Sequence, residues 1–232
     1  PLPETELPGS YGKMCKQSYW QNNCKTMIRE NSKFMMTKLP LIGMASFLLF
    51  LFLSISSYPG GTIKNSAHVG YSYSENYLSD LGRTKTPAGA DNTQSMLLFI
   101  AALAAISFSM AGFFYGNYSF FNRSFPKKGK GLTIGSFLFI LSFAFLLGVG
   151  LTPANTMLTP HIFFAKWYFR IIFIAALCYT PAFYKLSKQT FFHAVGYGII
   201  ALSTGSYILF SDLKLGRHLF ADMYVPDVIT QK

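Results

Sequence analysis

Asp80 and His161 are the residues whose types could carry acid–base chemistry in this chain, with Ser79 beside the first. A carboxylate and an imidazole can exchange protons with a substrate when a fold brings both within hydrogen-bond reach of it. His68, His218 and Asp222 are the candidates for metal ligands. His218 and Asp222 stand four apart, so a helix would present both on one face, as two ligands need. No HExxH-type spacing accompanies them, and the plainer reading is interfacial groups solvated or paired with loop cations. Arg170, Lys166, Arg83 and Tyr77 are the candidates for holding a ligand or pairing with Asp80. Arg170 lies about 10 Å into an apolar segment, at 1.5 Å per residue. A cation at such depth is costly, and it either snorkels beside Lys166 and Trp167, pairs with Asp80, or binds something. Which cofactor the protein uses, if any, is not legible in these residues.

The elements that must position them follow from composition. The 232 residues are 51% hydrophobic and only 12% charged, too few charges to cover a soluble globule and too much apolar surface for disorder. An integral membrane protein is the remaining class. The net charge of +11 reads as loop cations that orient membrane helices, and nucleic acid is not an expected partner. Membrane lipids are, and the oligomeric state is not legible. Of the three cysteines, Cys15 and Cys24 are in a polar stretch and Cys178 in an apolar one, with no CxxC pair to suggest zinc or redox chemistry.

Five apolar runs, about 39–58, 96–115, 132–151, 163–184 and 190–210, each approach the 20 or so residues that span a hydrocarbon core. Each must be helical, because an isolated strand leaves its backbone unsatisfied in lipid. The expected fold is therefore an all-α, polytopic transmembrane bundle over residues 35–232. Residues 1–34 read as a disordered tail or non-native extension. The first run lacks a clear cleavage site and reads as a helix rather than a signal peptide. Small residues at four-residue spacing, Ala101, Ala105 and Ser109, and at three- or four-residue spacing, Ala194, Gly198, Ala201 and Gly205, would let helices approach closely. Pro181 predicts a kink, and His193 reads as an interfacial residue contacting headgroups.

Lys25, Arg29, Lys33 and Lys38, then Arg123, Lys127, Lys128 and Lys130, then Lys185 and Lys188 fall on one side of five spans. The long connector 59–95 on the other side balances its cations with Glu75, Asp80 and Asp91. That asymmetry predicts a cytoplasmic N-terminus in a cell membrane. It also leaves the Asn117-Tyr118-Ser119 and Asn122-Arg123-Ser124 glycosylation matches idle in a cytoplasmic loop. Within the outer connector, Ser74-Glu75-Asn76 reads as a helix cap and Gly82 as its stop. A short interfacial helix over these residues would place Tyr73, Tyr77 and Leu81 on one face. Asp80 would then sit at its unfavourable C-terminal end, in need of a donor or a cation from Arg83, Arg170 or Lys166.

The stretch Asn76-Tyr77-Leu78-Ser79-Asp80-Leu81-Gly82 resembles the signature of the prokaryotic domain-of-unknown-function 998 family. That family is similar in turn to the DRAM, Frag and Sfk-type six-helix membrane proteins. The resemblance implies six helices and no established reaction, and marks Ser79, Asp80 and Gly82 without making them catalytic. Five spans are visible, so it predicts a sixth truncated at the C-terminus, where Pro226-Asp227 looks like a helix start. Two functions follow as expectations: a structural, regulatory or lipid-interacting bundle whose outer polar residues interlock, or a membrane-embedded lipid hydrolase using outer-face Asp and His. Whether the protein is an enzyme is open at this stage.

Overall fold

The computed structural model describes residues 34–124, 130–186 and 190–212. They form an all-α bundle of five helices: α1 (Phe34–Ser56), α2 (Thr93–Ser124), α3 (Lys130–Leu151), α4 (Leu158–Leu186) and α5 (Phe191–Asp212). All five are long and apolar enough to cross a membrane, and no sixth such helix occurs among the described residues. His218, Asp222 and the Pro226-Asp227 pair lie outside the described residues.

Packing explains where the helices end. α2 continues well past residue 115 because Phe121 is buried and meets the Phe183 ring of α4 at 5.5 Å. Both glycosylation matches therefore fall inside α2 rather than in a loop, with Asn117 buried. α4 begins five residues before the expected Phe163, where the buried His161 closes the turn from α3. It also runs without interruption through Pro181, and Thr180 Oγ1 donates to Ala176 O one turn back at 2.8 Å.

The helices approach where residues are small. On α1, a methyl on Gly43 would collide with Ser109 of α2, whose hydroxyl donates to Leu39 O at 2.9 Å. Ser54 and Ser95 join the same two helices nearer the loop, Oγ to Oγ at 3.0 Å. On α5, Ala194 and Ala201 are buried, and a methyl on Gly205 would sit 2.9 Å from the Phe173 ring of α4. Two cores result. One is aromatic, built from α2 to α5 around Phe114, Phe139, Tyr179 and Phe183; the other is small, with Leu81 of the connector against Tyr58, Phe99 and Leu103.

Connector 57–92 and the α3–α4 turn lie at one end, joined by Asn155, which accepts from Thr84 N at 3.0 Å and donates to Thr84 Oγ1 at 2.7 Å. The opposite end carries Lys130 and Lys185. The connector contains one regular element, a 3-10 turn over Leu78–Gly82. The expected helix from Ser74 is not formed. Asn76 Oδ1 accepts the Ser72 N–H at 3.0 Å and Asn76 N donates to Ser72 O at 2.9 Å, closing a turn where that helix would begin. Nor do Tyr73, Tyr77 and Leu81 share a face: the tyrosines are 81% and 54% exposed and Leu81 is 0%.

Candidate functional site

The shift from α-helix to a short 3-10 turn changes the electrostatics of Asp80. Its carboxylate lies in the first turn, not at a helix C-terminus, and accepts the Tyr77 N–H at 2.9 Å through Oδ2. The same oxygen accepts Asn76 Nδ2 at 3.2 Å, while Oδ1 lies 3.1 Å from Arg83 Nε as an off-axis ion pair. Of the three cations the sequence offered, Arg83 is the one on Asp80. Asp80 is 2% exposed, so this charge is buried, paired and hydrogen-bonded, as a stable interior charge must be.

Asn76 extends the cluster. Its Nδ2 also donates to Gly61 O at 3.1 Å, which accepts the Tyr58 hydroxyl at 3.2 Å. That carbonyl is presented by two consecutive glycines, Gly60 and Gly61, at φ of 118° and 90°. Such angles are strained for any residue with a Cβ, and a Cβ on Gly60 would meet His68 O. Burial first, then the negative charge of Asp80, pushes the Tyr58 hydroxyl up to about 12. Tyr71, edge-on to Tyr58 at 5.7 Å, is shifted upward by the same two causes. Both phenols are thereby held in the donor form.

Asn92, buried just before α2, closes the other side. Its Nδ2 faces the carbonyls of Asp80, Leu81 and Arg83 at 3.4, 3.1 and 2.8 Å, capping the end of the 3-10 turn. Its Oδ1 and Thr86 Oγ1 are buried without a partner among the described residues. Thr62 Oγ1 adds a bond to Glu75 Oε2 at 2.9 Å.

The remaining candidates are elsewhere. His161 Nδ1 is 2.7 Å from Thr152 O, which makes it the protonated nitrogen, and no hydrogen bond joins His161 to Asp80. Ser79, half-buried, makes no side-chain hydrogen bond to the described residues. His68 turns onto its own chain, Nδ1 3.3 Å from Gly70 O. The Arg170 guanidinium lies over the Trp167 ring, 5.4 Å from its centroid, and Lys166 is half-buried nearby in sequence on α4. Among the described residues no three His, Cys, Asp or Glu side chains come together as metal ligands. Sequence reasoning missed Tyr58, Asn76, Asn92 and Thr62. Only Asn76 had a local signal, an Asx side chain able to bond its own neighbouring backbone.

These features define a multi-pass, all-helical membrane protein with a hydrogen-bonded connector folded over one end of its bundle. The chain belongs to the DUF998 family, described as "Protein of unknown function (DUF998)", whose model matches residues 42–221. That span takes in the Asp80 cluster and nearly all of the five helices. Comparison with curated proteins and with solved structures gave no match.

Proposed function

We propose that this is a non-catalytic, lipid-interacting helix bundle of the cell membrane that carries a rigid, Asp80-centred cap on its extracytoplasmic face. The observation that carries the reading is the commitment of Asp80: each carboxylate oxygen is engaged by groups of its own connector. A general acid or base needs an oxygen facing substrate. The orientation rests on the lysines at the opposite end, which the positive-inside rule assigns to the cytoplasm along with the N-terminus. The likeness to prokaryotic relatives and to DRAM, Frag and Sfk-type proteins, with a sixth helix, belongs to the same proposal and rests on Ser79-Asp80-Leu81-Gly82.

A lipid hydrolase is the second reading, and one observation favours it. With Nδ1 committed to Thr152 O, His161 keeps Nε2 as its basic nitrogen. Reconstitution in phosphatidylcholine–phosphatidylglycerol vesicles, with released fatty acid followed over time, separates the two. The cap reading expects no release above protein-free vesicles. Sustained release that Asp80→Asn and His161→Ala both abolish would overturn it. For orientation, a chain with its native cysteines replaced is labelled from outside intact cells: Ser74→Cys should react and Lys127→Cys should not.

A further inference from the structure

At the lysine end the bundle leaves a groove of about 580 Å³ where α5 leans on α4 and stands away from α2. Met110 and Phe114 of α2 form one wall and Gly196 and Ile200 of α5 the other, over a floor of Phe139 and Ile172. Its size lies in the range of small-ligand sites, roughly 300–1,000 Å³. From Phe192 to Ile200 it runs about 12 Å along α5, at 1.5 Å per residue, close to one leaflet of a core about 30 Å thick.

The polarity of the groove is graded. Its deep part is hydrocarbon and aromatic ring, whereas His193 lines it at the first turn of α5. The His193 ring stacks on Phe183 at 5.5 Å, and neither its nitrogens nor the Tyr197 hydroxyl, also in the lining, is hydrogen-bonded to the described residues. Among the described residues, charge at this end has one sign. No Asp or Glu occurs between Asp91 and Asp212, while Lys127, Lys128, Lys130, Lys185 and Lys188 lie in or beside the connectors. Lys130 and Lys185 are exposed on the helix ends.

We infer that this groove holds one acyl chain of an anionic phospholipid, with the headgroup phosphate facing His193 at the end of the bundle that carries Lys130 and Lys185. An apolar slot of single-leaflet length, open to the bilayer and polar only at its cationic mouth, is complementary to an amphiphile with a negative head. The inference deepens the lipid-interacting reading above and names its ligand class.

The test counts lipids retained by the full chain. The protein is reconstituted with equal amounts of phosphatidylglycerol and phosphatidylcholine, extracted in mild detergent and examined by native mass spectrometry. One phosphatidylglycerol per chain should survive, in preference to phosphatidylcholine. Gly196→Phe should lower its retention about tenfold, corresponding to the usual 1.4 kcal/mol per decade. A Cβ at Gly196 meets nothing within 4 Å, so the variant should fold, which its melting temperature checks. His193→Glu should lower retention while leaving the groove open, and Leu202→Phe, at an exposed position of α5 outside the groove, should change nothing. Equal retention of the two lipids, wild-type retention by Gly196→Phe, or a dimer mass in place of the lipid adduct would each overturn the inference. A lipid that is retained but cleaved would overturn the non-catalytic reading and leave the groove standing.

Discussion

At the connector end, Asp80 is buried among Asn76, Arg83 and the Tyr77 N–H, and each of these partners has its own fixed place. At the lysine end the core is built mainly of rings: Phe114 stacks on Phe139 at 4.1 Å, Tyr179 packs edge-on against Phe139, and Phe183 is tilted against Tyr179. Hydrogen bonds are directional and an unmade buried one is costly, so a polar cluster admits one arrangement. Ring contacts are individually weak, tolerant of angle and made by area. The first end can therefore hold a loop rigid, and the second can leave space beside a packed core whose contacts do not depend on a fixed hydrogen-bond geometry. A cap belongs at one and a groove at the other.

The largest expected effect breaks the first end. Asp80→Ala leaves the Arg83 charge and the Tyr77 N–H without their acceptor and removes one acceptor from Asn76 Nδ2, which keeps Gly61 O, and should cost about 3 kcal/mol. Thermal unfolding in detergent micelles checks it, and an unchanged melting temperature would mean the cluster does not support the fold. The next tests the second end through crowding rather than hydrogen bonding. A methyl at Gly135 of α3 collides with the Tyr179 ring, which is walled by Phe114, Phe139 and Tyr197. Gly135→Ala should cost about 2 kcal/mol, whereas the same change at Gly196 should be nearly neutral because that position faces open space.

A smaller effect adds pH to the comparison. Tyr58→Phe removes the donor to Gly61 O and should cost about 1 kcal/mol at neutral pH. The Tyr58 hydroxyl titrates at 10.0 when unfolded and at about 12 in place, so the folded state holds this proton more tightly. Its contribution is complete below pH 10 and is lost as pH rises towards 12. Wild-type melting temperature should therefore fall across that window more steeply than that of Tyr58→Phe, and parallel profiles would deny the burial of this phenol.

The five helices of the described residues were legible because each apolar run matches the thickness of a bilayer, which leaves few alternatives. Their ends were less so. Hydropathy does not register that Phe121 has a ring partner in α4, or that His161 can close a turn through its side chain. In the connector, the sequence singled out Asp80 and offered Arg83 as its cation. It misplaced the carboxylate because Ser74-Glu75-Asn76 resembles a helix cap, while Asn76 uses its side chain on Ser72 instead. Asn92 had no local signature at all: it meets the three carbonyls around Asp80 only after the chain has turned through residues 84–91.

The smallest expected effect asks whether a hydroxyl matters equally at the two ends. Tyr179 and Ser136 share the hydrogen bond that crosses from α4 to α3 inside the aromatic core. Side-chain hydrogen bonds between membrane helices average only about 0.6 kcal/mol, because the separated helices also find partners. Tyr179→Phe keeps every ring contact and leaves the Ser136 hydroxyl free to turn to a backbone carbonyl one turn back, as Thr180 and Thr204 do in α4 and α5. The loss should be about 0.6 kcal/mol, below that of Tyr58→Phe, and Ser136→Ala combined with Tyr179→Phe should add little. A double variant that costs as much as Asp80→Ala would show that the aromatic end also depends on hydrogen-bond geometry. The lipid groove would then lie beside a rigid core rather than an adaptable one.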